Sequence, residues 1–226
     1  MWVEVESPLQ PSMAALVGAL PSEVVMMNSL TANLHVMMIS FYQPTPQRHK
    51  ILIEKKAFPS DYHAVVSQLQ LHGYDASTSL IEVEARLGEL TINEDDIDAL
   101  LAEQGESIAL VLFSGIQYYT GQFFDLERIA RSAKAAGCKV GFDLAHAVGN
   151  VPLRLHDWQV DFACWCTYKY MNCGPGSIAG CFVHEEHGKG ELVGEGEHRW
   201  PVPRRLGGWW GHRTSDRFQM AAQFIP

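Results

Sequence analysis

The stretch that decides the fold is 138–181, CKVGFDLAHAVGNVPLRLHDWQVDFACWCTYKYMNCGPGSIAGC. Its first apolar run, 138–142, ends on Asp143, and His146 follows three residues later. A second run, 161–166, delivers Thr167-Tyr168-Lys169 and passes into glycine-rich chain. Short, continuously apolar runs bounded by turn residues suit strands buried on both faces, as in a parallel sheet. An acid and an amine carried on the ends of neighbouring strands are what a pyridoxal phosphate (PLP) enzyme requires. The acid keeps the ring nitrogen protonated and the amine forms the Schiff base. A lone Asp or Lys at a strand end is more often a solvated edge, so the rest of the chain must supply a phosphate seat and a stacking face.

Working outward, the same strand–helix alternation recurs. Residues 50–54 (KILIE), 79–84 (SLIEVE), 108–113 (IALVLF) and 178–184 (IAGCFVH) read as strands. Helical periods are expected over 12–19 between Pro11 and Pro21, 30–41, 62–72 before Gly73, 93–103, and 125–136 before Gly137. Residues 23–27 form a short apolar run, either a strand or a lead-in. The pattern predicts an α/β fold, a mainly parallel sheet with helices on both faces. In such sheets ligands bind beyond the carboxyl ends of the strands. Ser60 and Asp61, Ser114, Asp143 and Lys169 all fall at or just past predicted strand ends. The domain reading is a helical lead-in over 1–20 and a partial PLP-binding large domain over 21–226. Residues 188–206, rich in glycine, glutamate and proline, form a surface loop within that domain.

Composition narrows the function classes. With 226 residues, 47% hydrophobic and 19% charged, the chain reads as an ordinary globular protein with room for a large core. A net charge of −9 argues against non-specific nucleic-acid binding, while leaving room for a local phosphate pocket. No basic leader followed by an apolar segment precedes residue 20, and the longest apolar segment, 30–42, contains Asn33 and His35. A cytoplasmic location without membrane attachment is the expectation. The five cysteines, 138, 164, 166, 173 and 181, lie mostly within apolar runs and read as buried free thiols. With His184 and His187 they fit none of the common zinc spacings, so no metal is expected.

If the ligand is PLP, the residues take roles. Lys169 carries the cofactor and moves protons at the substrate, and Asp143 pairs with the ring nitrogen. His146 hydrogen-bonds Asp143 or the ring edge. Phe58 is either a core residue or a lid stacking on the ring. Polar residues 28, 29 and 31 sit where a helix begins, either as caps or as a seat for phosphate around Leu30 and Thr31. Thr31, Asp61, Ser114 and Tyr168 surround the phosphate or position groups near it. Asp61 suits a neighbouring hydroxyl or ring substituent better than a phosphate. Another phosphate-ligand enzyme, or a non-catalytic domain of the same fold, satisfies the same pattern.

Six segments carry a closer resemblance: NSLTANLH (28–35), AFPSDYHA (57–64), LFSGIQYYTGQ (112–122), GFDLAHAVGN (141–150), DFACWCTYKYMNCGPGSIAG (161–180) and GWWGH (208–212). Together they resemble the kynureninases, PLP-dependent enzymes of the aspartate aminotransferase fold (fold type I). The resemblance implies the Schiff-base lysine at Lys169, the ring-nitrogen aspartate at Asp143 and the neighbouring histidine at His146. It implies the stacking ring at Phe58, and cofactor contacts at Leu30, Thr31, Asp61, Ser114 and Tyr168. It places Trp209 at the cofactor phosphate of a second subunit, hence a homodimer. Tyr168 becomes a candidate proton donor. The implied reaction is hydrolysis of L-kynurenine, or 3-hydroxykynurenine, to anthranilate, or 3-hydroxyanthranilate, and L-alanine in tryptophan catabolism. The resemblance also implies an N-terminal segment and an arginine-bearing C-terminal domain beyond these residues, so the chain is expected to be truncated at both ends. Its alternatives are a non-catalytic PLP-binding relative and another fold type I PLP lyase.

Overall fold

The computed structural model describes residue 5 and residues 7–188. Seven strands form one sheet in the order β1-β7-β6-β5-β4-β2-β3. They are β1 (Val24–Met26), β2 (Lys50–Glu54), β3 (Leu80–Val83), β4 (Ile108–Ser114), β5 (Lys139–Asp143), β6 (Phe162–Trp165) and β7 (Gly180–Val183). The five strands from β3 to β6 are parallel. The β7 strand returns antiparallel to β6, and β1 closes that edge antiparallel to β7. The expected mainly parallel sheet is therefore present, and the short run near residue 25 is a true strand.

The helices are α1 (Gln10–Val17), α2 (Leu30–Phe41), α3 (Pro59–Leu71), α4 (Ala76–Ser79), α5 (Glu94–Gln104) and α6 (Leu126–Ala135). Two cores follow from their placement. Helices α1, α5 and α6 bury Val17, Ile97, Leu101, Ile129 and Ala133 with one sheet face; α2 and α3 bury Leu34, Met38, Val65 and Leu69 with the other. Because both faces are covered, β4 is buried from Ile108 to Phe113 and β6 along its whole length. That double burial is why these strands read as continuous apolar runs. The chain reverses direction of travel across the sheet between β2 and β4, so α3 falls on one face and α5 and α6 on the other. A crevice at the carboxyl ends of those strands is the expected consequence.

Boundaries moved where proline was misjudged. Pro11 lies inside the first turn of α1, and Pro59 opens α3, since a proline in the first turn gives up an N–H that has no helical partner. Asp61 consequently sits in the first turn of α3. The helix α4 was not anticipated; its cap is the Asp75 carboxyl, which accepts from Ser77 N–H. Of the thiols expected to be buried, Cys173 is exposed. Among the described residues no helix is long and apolar enough to cross a membrane.

Candidate active site

A cavity of about 470 Å³ opens over the carboxyl ends of β2, β4, β5 and β6. Nine of the ten residues singled out by sequence line it: Leu30, Thr31, Phe58, Asp61, Ser114, Asp143, His146, Tyr168 and Lys169. They come from five separate segments, which only the parallel topology brings to one edge. Trp209, the tenth, lies outside the described residues, as does the 188–206 loop beyond Gly188.

Lys169 occupies the turn after β6, its Nζ 3.0 Å from His146 Nε2 and 5.6 Å from the centre of the Phe58 ring. Burial and the Lys169 charge hold the His146 pKa below its ordinary value, with Asp143 acting the other way. A neutral imidazole therefore accepts the bond from the lysine. Phe58 is 42% exposed, so its ring faces the cavity rather than a core. Tyr118 packs edge-on against it with ring centres 5.2 Å apart. The loop carrying Tyr118 is pinned by buried Gln117, whose amide oxygen accepts from the Tyr119 and Thr120 N–H groups and whose nitrogen donates to Lys56 O.

The floor is acidic. Asp143 ends β5, is nearly buried, and accepts from Ala145 N–H at 2.8 Å. Asp61 hydrogen-bonds Asp143, and burial together with the Asp143 and Glu54 carboxyls pushes its pKa far above the carboxylate range. Asp61 thus holds its proton and donates it to Asp143. Glu54, at the end of β2, accepts from the Ser114 hydroxyl at 2.6 Å and from Ser114 N–H.

Helix α2 also begins at the cavity. Ser29 is its N-cap residue but makes no capping bond, which leaves the first backbone N–H groups for another acceptor. Thr31 Oγ1 and Ser60 Oγ lie 2.7 Å apart beside them. Hydroxyls and a helix N-terminus suit an anion, and the acids and Lys169 line the same cavity. A ligand that carries both a phosphate and a protonated ring nitrogen uses both sets of groups, so the residues present fit the cofactor expected from the sequence. Tyr168 lies at the mouth, 49% exposed, its phenol hydrogen-bonded with the buried Cys166 thiol.

Sequence reasoning missed Glu54 and Cys166; Ser60, expected with Asp61 at a strand end, does line the cavity. Glu54 and Cys166 carried no signal, since a strand-ending glutamate is ordinarily solvated and a cysteine in an apolar run is ordinarily core. The imagined thiol–imidazole cluster is not formed among the described residues. Cys164 lies 3.6 Å from Cys181 in the core, while His187 bonds Asp161 and His184 stacks on His156.

The family model for aminotransferase class-V matches residues 9–189. A kynureninase from Nematostella vectensis is 55% identical over 223 residues, covering 99% of this chain and 46% of that protein. One from Mus musculus is 51% identical over 227 residues, covering all of this chain and 47% of the other. The chain thus spans about half the length of the curated relatives it matches. Among solved structures, a cysteine desulfurase from Thermococcus onnurineus superposes with TM-score 0.68 at 18% identity, covering 80% of this chain and 42% of that one. A cystine C–S lyase gives 0.66 at 19%, covering 80% and 46%. At such identities these structures establish the fold alone.

Proposed function

The chain belongs to the aminotransferase class-V family, and from that premise we propose that its cavity binds pyridoxal 5'-phosphate and serves the hydrolytic cleavage of L-kynurenine, or its 3-hydroxy derivative, to anthranilate, or 3-hydroxyanthranilate, and alanine. The observation that carries the reading is the meeting of nine predicted residues in one cavity with an amine, a buried carboxyl and an exposed aromatic face. The names of the near-full-coverage relatives supply the substrate class.

When bound, the cofactor supplies an electron sink for charge that develops on the substrate carbon beside its amine. Lys169 would hold the cofactor through its Nζ, and its free amine would move the proton at that carbon. His146 accepts from that nitrogen and sets its direction. Asp143 faces the ring nitrogen and keeps it protonated, a charge-assisted bond strengthened by exclusion of water. Asp61, bonded to Asp143, adds no second charge that would compete for the same proton. Phe58 stacks on one face of the ring. The N-terminus of α2, with Thr31 and Ser60, takes the phosphate. Water adds to the aryl ketone carbon, so that the group departs as the anthranilate carboxyl, and Tyr168, at the cavity mouth, would donate a proton to the carbon left behind.

The remaining parts of the reading rest on the resemblance. The chain works as a homodimer in the cytoplasm, with the cofactor site at the subunit interface. Adding PLP and L-kynurenine and measuring anthranilate fluorescence together with alanine tests the activity. Equimolar release supports it. A protein that binds PLP yet releases neither product contradicts it.

A further inference from the structure

Glu54 is 2% exposed and ends β2 on the side of the sheet that opens into the cavity, yet it does not itself line the cavity. Its neighbour across the strand-order reversal is Ser114, which does. The serine hydroxyl donates to Glu54 Oε1 at 2.6 Å, and the serine N–H reaches both carboxyl oxygens at 3.3 Å. Both donors of Ser114 therefore go to a single buried group.

The consequence concerns Asp143. Ser114 and Asp143 are register partners on adjacent parallel strands, so their side chains leave the sheet on the same face. A serine free to rotate would donate to that carboxyl and compete with a ring nitrogen for it. Bound to Glu54, the hydroxyl has only lone pairs left to present to the cavity. We propose that Glu54 is a positioning residue of the cofactor site, acting through Ser114: by taking both of the serine's donors it keeps that hydroxyl an acceptor beside Asp143 and leaves Asp143 to the ring nitrogen. This rests on the reading of the cavity as a pyridoxal phosphate site.

The arrangement is sensitive to proton concentration. Burial pushes the Glu54 pKa up to about 7; the Ser114 bonds pull it down, and Asp143 raises it further. The charged and titratable groups around it are Asp143 from β5, Asp61 from α3, and Lys169 beyond Asp61. Above that midpoint Glu54 is ionised and accepts the hydrogen bond from the serine hydroxyl. Below it Glu54 carries its own proton, donates to Ser114 Oγ and turns the serine's hydrogen toward the cavity. Affinity for the cofactor is therefore greatest on the alkaline side and falls as Glu54 protonates.

The test is a double-mutant cycle on the full chain, read as the PLP dissociation constant from visible absorbance about one unit above and one unit below the Glu54 midpoint. Glu54→Gln mimics the protonated acid. It is expected to bind about tenfold more weakly than wild type at the higher pH and about equally at the lower. In a Ser114→Ala background the same substitution changes nothing at either pH. If Glu54→Gln does not fold, a steeper pH dependence in wild type than in Ser114→Ala carries the same conclusion. A Glu54→Gln loss that is equal at both pH values, or that persists without the serine, overturns the proposal while the cofactor reading stands. The absence of any visible band in wild type overturns both.

Discussion

Lys169 Nζ lies 3.0 Å from His146 Nε2, so the amine delivered by one strand end is held by the imidazole delivered by the neighbouring one. The two residues are 23 positions apart in sequence, and only the parallel pairing of β5 with β6 makes them neighbours. Because burial and the lysine keep His146 below its ordinary pKa, the imidazole remains an acceptor at neutral pH and somewhat below it.

Loss of that acceptor should loosen the lysine. His146→Phe is expected to slow attachment of pyridoxal phosphate about tenfold, while His146→Gln, which keeps an acceptor, recovers most of the rate. Stopped-flow absorbance after mixing protein and cofactor measures both. Equal slowing in the two variants would count against an orienting hydrogen bond.

The two aspartates should respond unequally to the same change. Asp143→Asn removes the charge facing the ring nitrogen, and cofactor affinity should fall about a hundredfold. Asp61→Asn replaces a carboxyl that already holds its proton with an amide that still donates to Asp143, and affinity should change less than about threefold. Titration by visible absorbance reads both. A larger loss for Asp61→Asn reverses the assignment.

At the far end of the sheet, Asp161 is fully buried. Burial alone would raise its pKa, but His187, Lys139, Lys134 and the Val140 N–H hold it down to about 2. A carboxyl depressed on folding contributes stability that is present above its unfolded pKa of about 4 and is lost as pH falls toward 2. Asp161→Asn should therefore cost roughly 2 kcal/mol at neutral pH, with the gap closing between about pH 4 and pH 2. Urea unfolding across that range checks it, and a pH-independent gap would contradict it.

Gly141 is required by packing, since a Cβ there would lie 2.2 Å from the Phe162 ring. Its φ is not in the left-handed region, so the constraint is the neighbour and not the backbone. Gly141→Ala should destabilise by about 2 kcal/mol or more and disturb Asp143, two residues on. Thermal melting should fall by several degrees; an unchanged melt would mean that Phe162 can move aside.

What was legible in the sequence was what double burial and parallel topology impose on residue order. Runs such as IALVLF and VGF are continuously apolar because both sheet faces are covered, and their ends are marked by the polar residues that reach the cavity. Ser114, Asp143 and Lys169 stood out for that reason. What stayed hidden depended on spatial partners. Nothing in KILIE distinguishes a solvated glutamate from one buried against a serine 60 residues on. The antiparallel return of β7 and β1 was equally invisible, because strand direction is set by the connection and not by the residues of the strand. The helix after β2 was expected from residue 62, yet the ring of Pro59 suits the first helical position, and this carries Asp61 onto the helix.

The central claim is that Lys169 is the residue that carries the cofactor. Pyridoxal phosphate should be added to the protein, the attachment fixed with borohydride, and the modified peptide mapped by mass spectrometry. The account predicts a single dominant pyridoxyl adduct on the peptide containing Lys169, lost together with the visible band in Lys169→Ala. An adduct concentrated on another lysine, or a visible band that survives Lys169→Ala unchanged, would contradict it.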